Sequence, residues 1–201
     1  MSRRYEILHA LAIKKQATAA DCARLAGVTA AETAEVLRVA AATGRAIERD
    51  GSYLLTPLAR IALESDYSRQ FDQVRGDHGF VDAYERFERI NIELKTLITD
   101  WQTIDAGGTR MSNDHSDTDY DLGILDRLGD LHERATEVLD ELKKRLPRFD
   151  YYQIHLEQAL QKAEQGALEW VSGARIESYH TLWFELHEDL LRILGRRRSE
   201  R

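Results

Sequence analysis

Apolar residues recur at helical spacing along most of this chain, and the places where that rhythm breaks divide it into elements. Arg4 to Lys15 carries Ile7, Leu8, Leu11 and Ala12 on one side of a predicted helix. "TAADCARLAG" follows, with Thr18 in the cap position and Gly27 at the turn. "TAAETAEVLRVAAATG" opens on Thr29 and Glu32, a Thr-x-x-Glu capping box, and stops at Gly44. The period then shortens. Ala46 to Glu48 and Tyr53 to Leu55 flank Asp50-Gly51, which predicts a hairpin, and Thr56-Pro57 caps and starts a further helix, "PLARIALES".

From residue 65 to 81 the sequence is polar and holds two glycines, so it is predicted as a connecting segment. Beyond it the helical period returns in four stretches, about 82–103, 117–146, 151–170 and 175–195, separated by Pro147, Gly166 and Gly173. The order helix, helix–turn–helix, hairpin, helix resembles that of winged-helix DNA-binding domains. The predicted fold is therefore mostly α, an N-terminal winged helix-turn-helix (1–64) followed by a C-terminal antiparallel four-helix bundle (82–201).

Composition narrows the function classes. The 201 residues suffice for one large domain or two small ones, and two prolines and 12 glycines favour helix. No window approaches the roughly 18 apolar residues of a membrane span, and "MSRRYEILHA" lacks the apolar core of a signal peptide, so a cytoplasmic protein is expected. Cys22, the single cysteine, excludes an internal disulfide and reads as a packing residue. The charge is uneven. Residues 1–64 hold nine Lys/Arg against seven Asp/Glu, and the remainder 19 against 28. A helix that reads the major groove presents Arg, Lys, Asn or Gln. This one offers Ala30, Ala31, Glu32, Thr33 and Glu35 before Arg38, with Arg45 and Arg49 near the wing. DNA is the less favoured partner.

Candidate chemistry comes from polar residues on apolar faces. In the last helix His180 and His187 fall within an arc that holds Tyr179, Leu182, Trp183, Phe184, Leu186 and Leu190, while Glu185, Glu188 and Asp189 lie on the opposite side. Asn91 interrupts the stripe Phe87–Ile90–Leu94–Leu97–Ile98–Trp101, with Lys95 and Gln102 at its edge. "MSNDHSDTDYD" sets His115 beside Asp114 just before a helix that Ser116 or Asp117 caps. An Asp–His pair there can act as a base, the carboxylate orienting the imidazole. Hydrogen bonds to backbone or to neighbouring carboxylates would account for the same histidines without catalysis. No metal site is expected, and no nucleophile elbow supports a Ser–His–Asp hydrolase.

"INIELKTLITDWQ", "SNDHSDTDYDLGILDRLGDLHERA" and "ESYHTLWFELHEDLLRILGR" together resemble a helical module of actinobacterial and related proteins. That module accompanies enzymes similar to phosphoenolpyruvate synthase and pyruvate phosphate dikinase, fused to them or as a small separate subunit. The resemblance covers about 82–197. It implies that this chain binds the acceptor, a phenolic compound, while a phosphoenolpyruvate synthase-like large subunit holds ATP, Mg and the phosphohistidine. This chain itself would hold no cofactor. On that resemblance Trp101, Tyr179, Trp183 and Phe184 would line the slot with Asn91, Gln102 and His187. His115, His180 or His187 would serve as base, Asp114 would assist, and Lys95 would steady the phosphoryl group. The competing expectation is a winged-helix regulator whose bundle senses an aromatic metabolite. A third is an adaptor, for which the arginine-rich tail "GRRRSER" offers a docking site.

Overall fold

The computed structural model describes residues 2–197; the end of the arginine-rich tail lies outside them. The protein is mostly α, with two small antiparallel sheets. Among the described residues, no helix is long and apolar enough to cross a membrane. The chain forms two compact units, one running to Asp77 and resuming at Glu185, the other spanning His78–Phe184.

The first unit begins with α1 (Arg3–Lys14), β1 (Gln16–Thr18), α2 (Ala19–Ala26) and α3 (Ala30–Ala42). After these come β2 (Ala46–Arg49), β3 (Ser52–Leu55), α4 (Pro57–Gln70) and α5 (Asp72–Arg75). Local chemistry sets the breaks. Gly27 closes α2 in the left-handed region, its N–H bonded to the Ala23 carbonyl, a conformation that costs glycine no Cβ clash. Asp50 and Gly51 both take positive φ, the signature of a tight hairpin turn. The hairpin is wider than expected, since β1 adds a third strand in the order β1-β3-β2, with Ala17 opposite Tyr53. Ile7, Leu11, Leu25, Leu37 and Phe71 are fully buried, and the last helix adds Leu186, Leu190 and Ile193. Each such side chain contributes about 2 kcal/mol of apolar burial.

Residues 65–81, expected as a connecting segment, are largely helical. The reason is the spacing of Leu63, Tyr67 and Phe71, one buried residue every fourth position in an otherwise polar run. Such a stripe is too sparse to lift the average hydropathy of the segment.

The second unit contains α6 (His78–Gln102), β4 (Thr103–Ala106), β5 (Thr109–Ser112) and α7 (Thr118–Leu142). A 3₁₀ turn (Pro147–Phe149), α8 (Asp150–Glu164) and α9 (Glu169–Ser172) follow, and α10 (Tyr179–Leu194) starts here and ends in the first unit. The ion pairs Asp100–Arg127 at 3.1 Å and Glu93–Arg134 at 2.6 Å run in opposite sequence sense, so α6 and α7 are antiparallel. The two helices pack together, and the α6 stripe of Leu94, Leu97 and Trp101 and the α7 stripe of Leu128, Leu131 and Ala135 are all buried. The expected third helix, 151–170, is broken: α8 stops at Glu164, and Gly166 turns the chain at φ 92 before short α9.

Candidate functional site

The candidate site is built where α6 ends and α7 begins. The β4–β5 hairpin returns the chain so that the Asn113 N–H bonds the Gln102 carbonyl at 2.9 Å. Asn113 is buried and spends both amide protons, on the Trp101 carbonyl at 3.1 Å and on Asp121 Oδ1 at 2.9 Å. Its Oδ1 accepts the backbone N–H of His115 at 3.0 Å, which folds a tight turn. That turn forces His115 to φ 60, a left-handed backbone that histidine tolerates better than most residues.

In this position His115 Nδ1 lies 2.9 Å from Asp121 Oδ2. The Asp121 carboxylate is 6% exposed and accepts a hydrogen bond from Nδ1, which orients the ring and leaves Nε2 as the nitrogen turned away from the carboxylate. Asn113 Nδ2 is also 3.3 Å from Nδ1, a neighbour rather than a bond because both of its protons are committed elsewhere. One face of the imidazole rests on the Trp101 ring, 4.5 Å between centroids. The His115 side chain remains 30% exposed, and no described residue engages Nε2. Beside Trp101, Asp100 draws in Arg127 at 3.1 Å and Arg110 at 3.6 Å, and the Tyr120 hydroxyl ties α7 to the Asp100 and Thr103 carbonyls. A fixed carboxylate, an oriented imidazole and an accessible Nε2 make a proton-accepting site.

The carboxylate expected beside His115 was Asp114. Asp114 instead caps Ser116, its Oδ1 accepting the Ser116 N–H at 3.1 Å, and the Ser116 side-chain and backbone bonds hold its carboxyl below the usual range. Asp121, one turn into α7, holds the ring. Of the other expected residues, Trp101 shares the cluster. Lys95 and Gln102 are exposed on α6, Phe184 is 37% exposed, and His180 is half-buried. His187 is buried, but it belongs to the first unit. Tyr179 and Trp183 are core residues. The Trp183 Nε1 donates to Asn91 Oδ1 at 3.1 Å, and its ring stacks on Phe87 at 4.7 Å.

Two further histidine clusters escaped the sequence reading. In the second unit His132 Nε2 donates to Glu157 Oε2 at 2.8 Å, and the Tyr179 hydroxyl donates to Nδ1 at 3.2 Å. Complete burial, with help from the Glu157 charge, holds the Tyr179 phenol protonated far above its ordinary range. His132 follows Leu128 by four residues and precedes Ala135 by three, so the core stripe of α7 already contained the signal. In the first unit His9 Nε2 is 2.7 Å from Asp189 Oδ1 and Nδ1 is 2.9 Å from the Tyr67 hydroxyl. Both rings are bonded through both nitrogens, which makes them structural.

Glu177 and His180 stand at a Glu-x-x-His spacing, yet Glu177 accepts the Tyr151 hydroxyl at 3.1 Å. Among the described residues no three His, Cys, Asp or Glu side chains are grouped to hold a metal ion. No protein-family model, curated protein or solved structure matches this chain.

Proposed function

We propose that His115 is a general base and that this chain is the acceptor-binding component of a phosphotransferase. A separate, phosphoenolpyruvate synthase-like chain would carry ATP, Mg and the phosphohistidine. The reading rests on one observation, the Asp121-oriented His115 with Nε2 presented outward. Nε2 takes the hydroxyl proton of a phenolic acceptor as its oxygen attacks phosphorus, and the P–N bond on the partner breaks. Asp121 stabilises the imidazolium formed. On this reading the first unit is a winged helix serving as scaffold, and the second is a helical bundle.

Reconstitution with a dikinase of that type, ATP, Mg and a panel of phenols tests the proposal. His115→Asn, which keeps the left-handed turn accessible, should lower the transfer rate about a hundredfold or more, and Asp121→Asn should also lower it. An unchanged rate in His115→Asn, or no transfer to any phenol by the native pair, overturns it.

A winged-helix regulator is the second reading, favoured by the element order and the β1-β3-β2 sheet of the first unit. The exposed face of α3 weighs against it. Glu35 neutralises Arg38 at 2.7 Å, and Glu32 is taken by Arg3 at 2.8 Å, leaving little net positive charge for phosphate. A sequence-specific duplex complex that survives near-physiological salt would favour this reading.

A further inference from the structure

We propose that a groove in the first unit, between α1, α4 and Arg45, binds a small organic anion with an apolar body. The groove encloses about 340 Å³, within the range of small-molecule sites. Its charged lining is Arg4, Arg45, Arg69 and a single carboxylate, Asp66; its apolar wall includes Tyr5 and Leu63.

The arginines differ in what they are free to do. Elsewhere in this unit Arg3, Arg24 and Arg38 are each consumed by a carboxylate within 2.8 Å. In the groove Asp66 holds Arg69 at 2.9 Å. Arg4 and Arg45 make no ion pair with any described carboxylate. Two exposed arginines thus line one hollow without a carboxylate partner, and a guanidinium fork matches a carboxylate or phosphate edge. The Arg45 backbone is anchored at the rim, because its carbonyl accepts both the N–H and the hydroxyl of Thr56, the residue that caps α4. The Tyr5 hydroxyl is spent on the Leu63 carbonyl at 3.4 Å, so Tyr5 offers its ring rather than a polar group. An anionic head near Arg4 and Arg45 with a hydrocarbon or aryl body against Tyr5 and Leu63 satisfies both halves of this lining. The site shares no residue with the His115 cluster and stands or falls independently of it.

The test titrates the full chain with octanoate, octyl phosphate, octanol and orthophosphate, following backbone amide shifts and heats of binding. Octanoate or octyl phosphate should shift the amides of Tyr5, Arg45 and Leu63. Either order of affinity supports the site and identifies its head group as carboxylate or phosphomonoester. The Arg4→Gln/Arg45→Gln double variant, with helicity checked by circular dichroism, should weaken binding about tenfold or more. The proposal is overturned if neither amphipathic anion shifts these amides or if the double variant binds equally well. Octanol matching octanoate, or orthophosphate matching octyl phosphate, overturns it too.

Discussion

Thr18 and Asp21 exchange bonds at the start of α2: the Asp21 N–H reaches Thr18 Oγ1 at 3.2 Å, and Asp21 Oδ2 accepts the Thr18 N–H at 3.0 Å and its hydroxyl at 2.7 Å. Partial burial pushes the Asp21 carboxyl up, but the Thr18 bonds and Arg24 at 2.7 Å outweigh it, and the net shift is downward from an ordinary value of 3.8. A depressed folded pKa contributes stability above the unfolded value, and that contribution is lost as pH falls through the folded one. Asp21→Asn should therefore cost about 1 kcal/mol near neutral pH. The gap to the native chain should close as pH drops well below 3.8, read by urea unfolding at several pH values. Sequence alone placed a capping box at Thr29 and Glu32. Thr29 does accept the Glu32 N–H at 3.2 Å, but the longer Glu32 side chain turns away to Arg3, a partner 29 residues distant. Caps are legible locally, whereas the fate of a long charged side chain depends on what the fold brings near it. Cys22 followed expectation: burial pushes its thiol up to about 12 and leaves it a packing group.

At the scale of elements, α1 and the second half of α10 are joined by His9 and Asp189, 2% and 0% exposed. Removing one partner from a buried polar pair strands the other. Asp189→Ala should cost about 3–5 kcal/mol, while the His9→Leu/Asp189→Leu double variant should cost less than the sum of its singles. A double-mutant cycle by urea denaturation measures the difference. The pair was invisible to periodicity, which assigns each helix one buried face. Asp189 lies opposite the apolar arc, yet α10 buries Leu186, Asp189, Leu190 and Ile193 completely, covered on more than one side. The α6 and α7 stripes were legible because each of those helices has a single apolar face. The β4–β5 hairpin was not: its strands are four residues each, and "IDAGGTRM" shows little alternation.

Across the whole molecule charge is sorted between the two units. The first holds 16 Lys/Arg against 14 Asp/Glu, the second 12 against 21. The first unit is discontinuous in sequence, which no boundary drawn from composition would reveal. A chain ending at Phe184 would lack Leu186, Leu190, Ile193 and the carboxylate that holds His9. It should lose cooperative unfolding and amide dispersion for α1, α2 and α3, as two-dimensional NMR would show; a native-like spectrum there would mean that α10 is dispensable to this core. Of the candidate site, sequence identified His115 and the helix start that presents it. It paired the ring with the adjacent Asp114, because adjacency in sequence is not adjacency on a turn whose backbone is left-handed.

The hairpin turn at Gly107 and Gly108 has a practical use. Both glycines take positive φ, and no atom lies within 4 Å of where a side chain would project. Lengthening a surface loop costs closure entropy that grows only with the logarithm of its length. A short tag or dye-bearing peptide spliced between these glycines should therefore leave the Thr103–Ser112 pairing intact, with five residues between the reporter and the Asn113 that anchors the histidine loop.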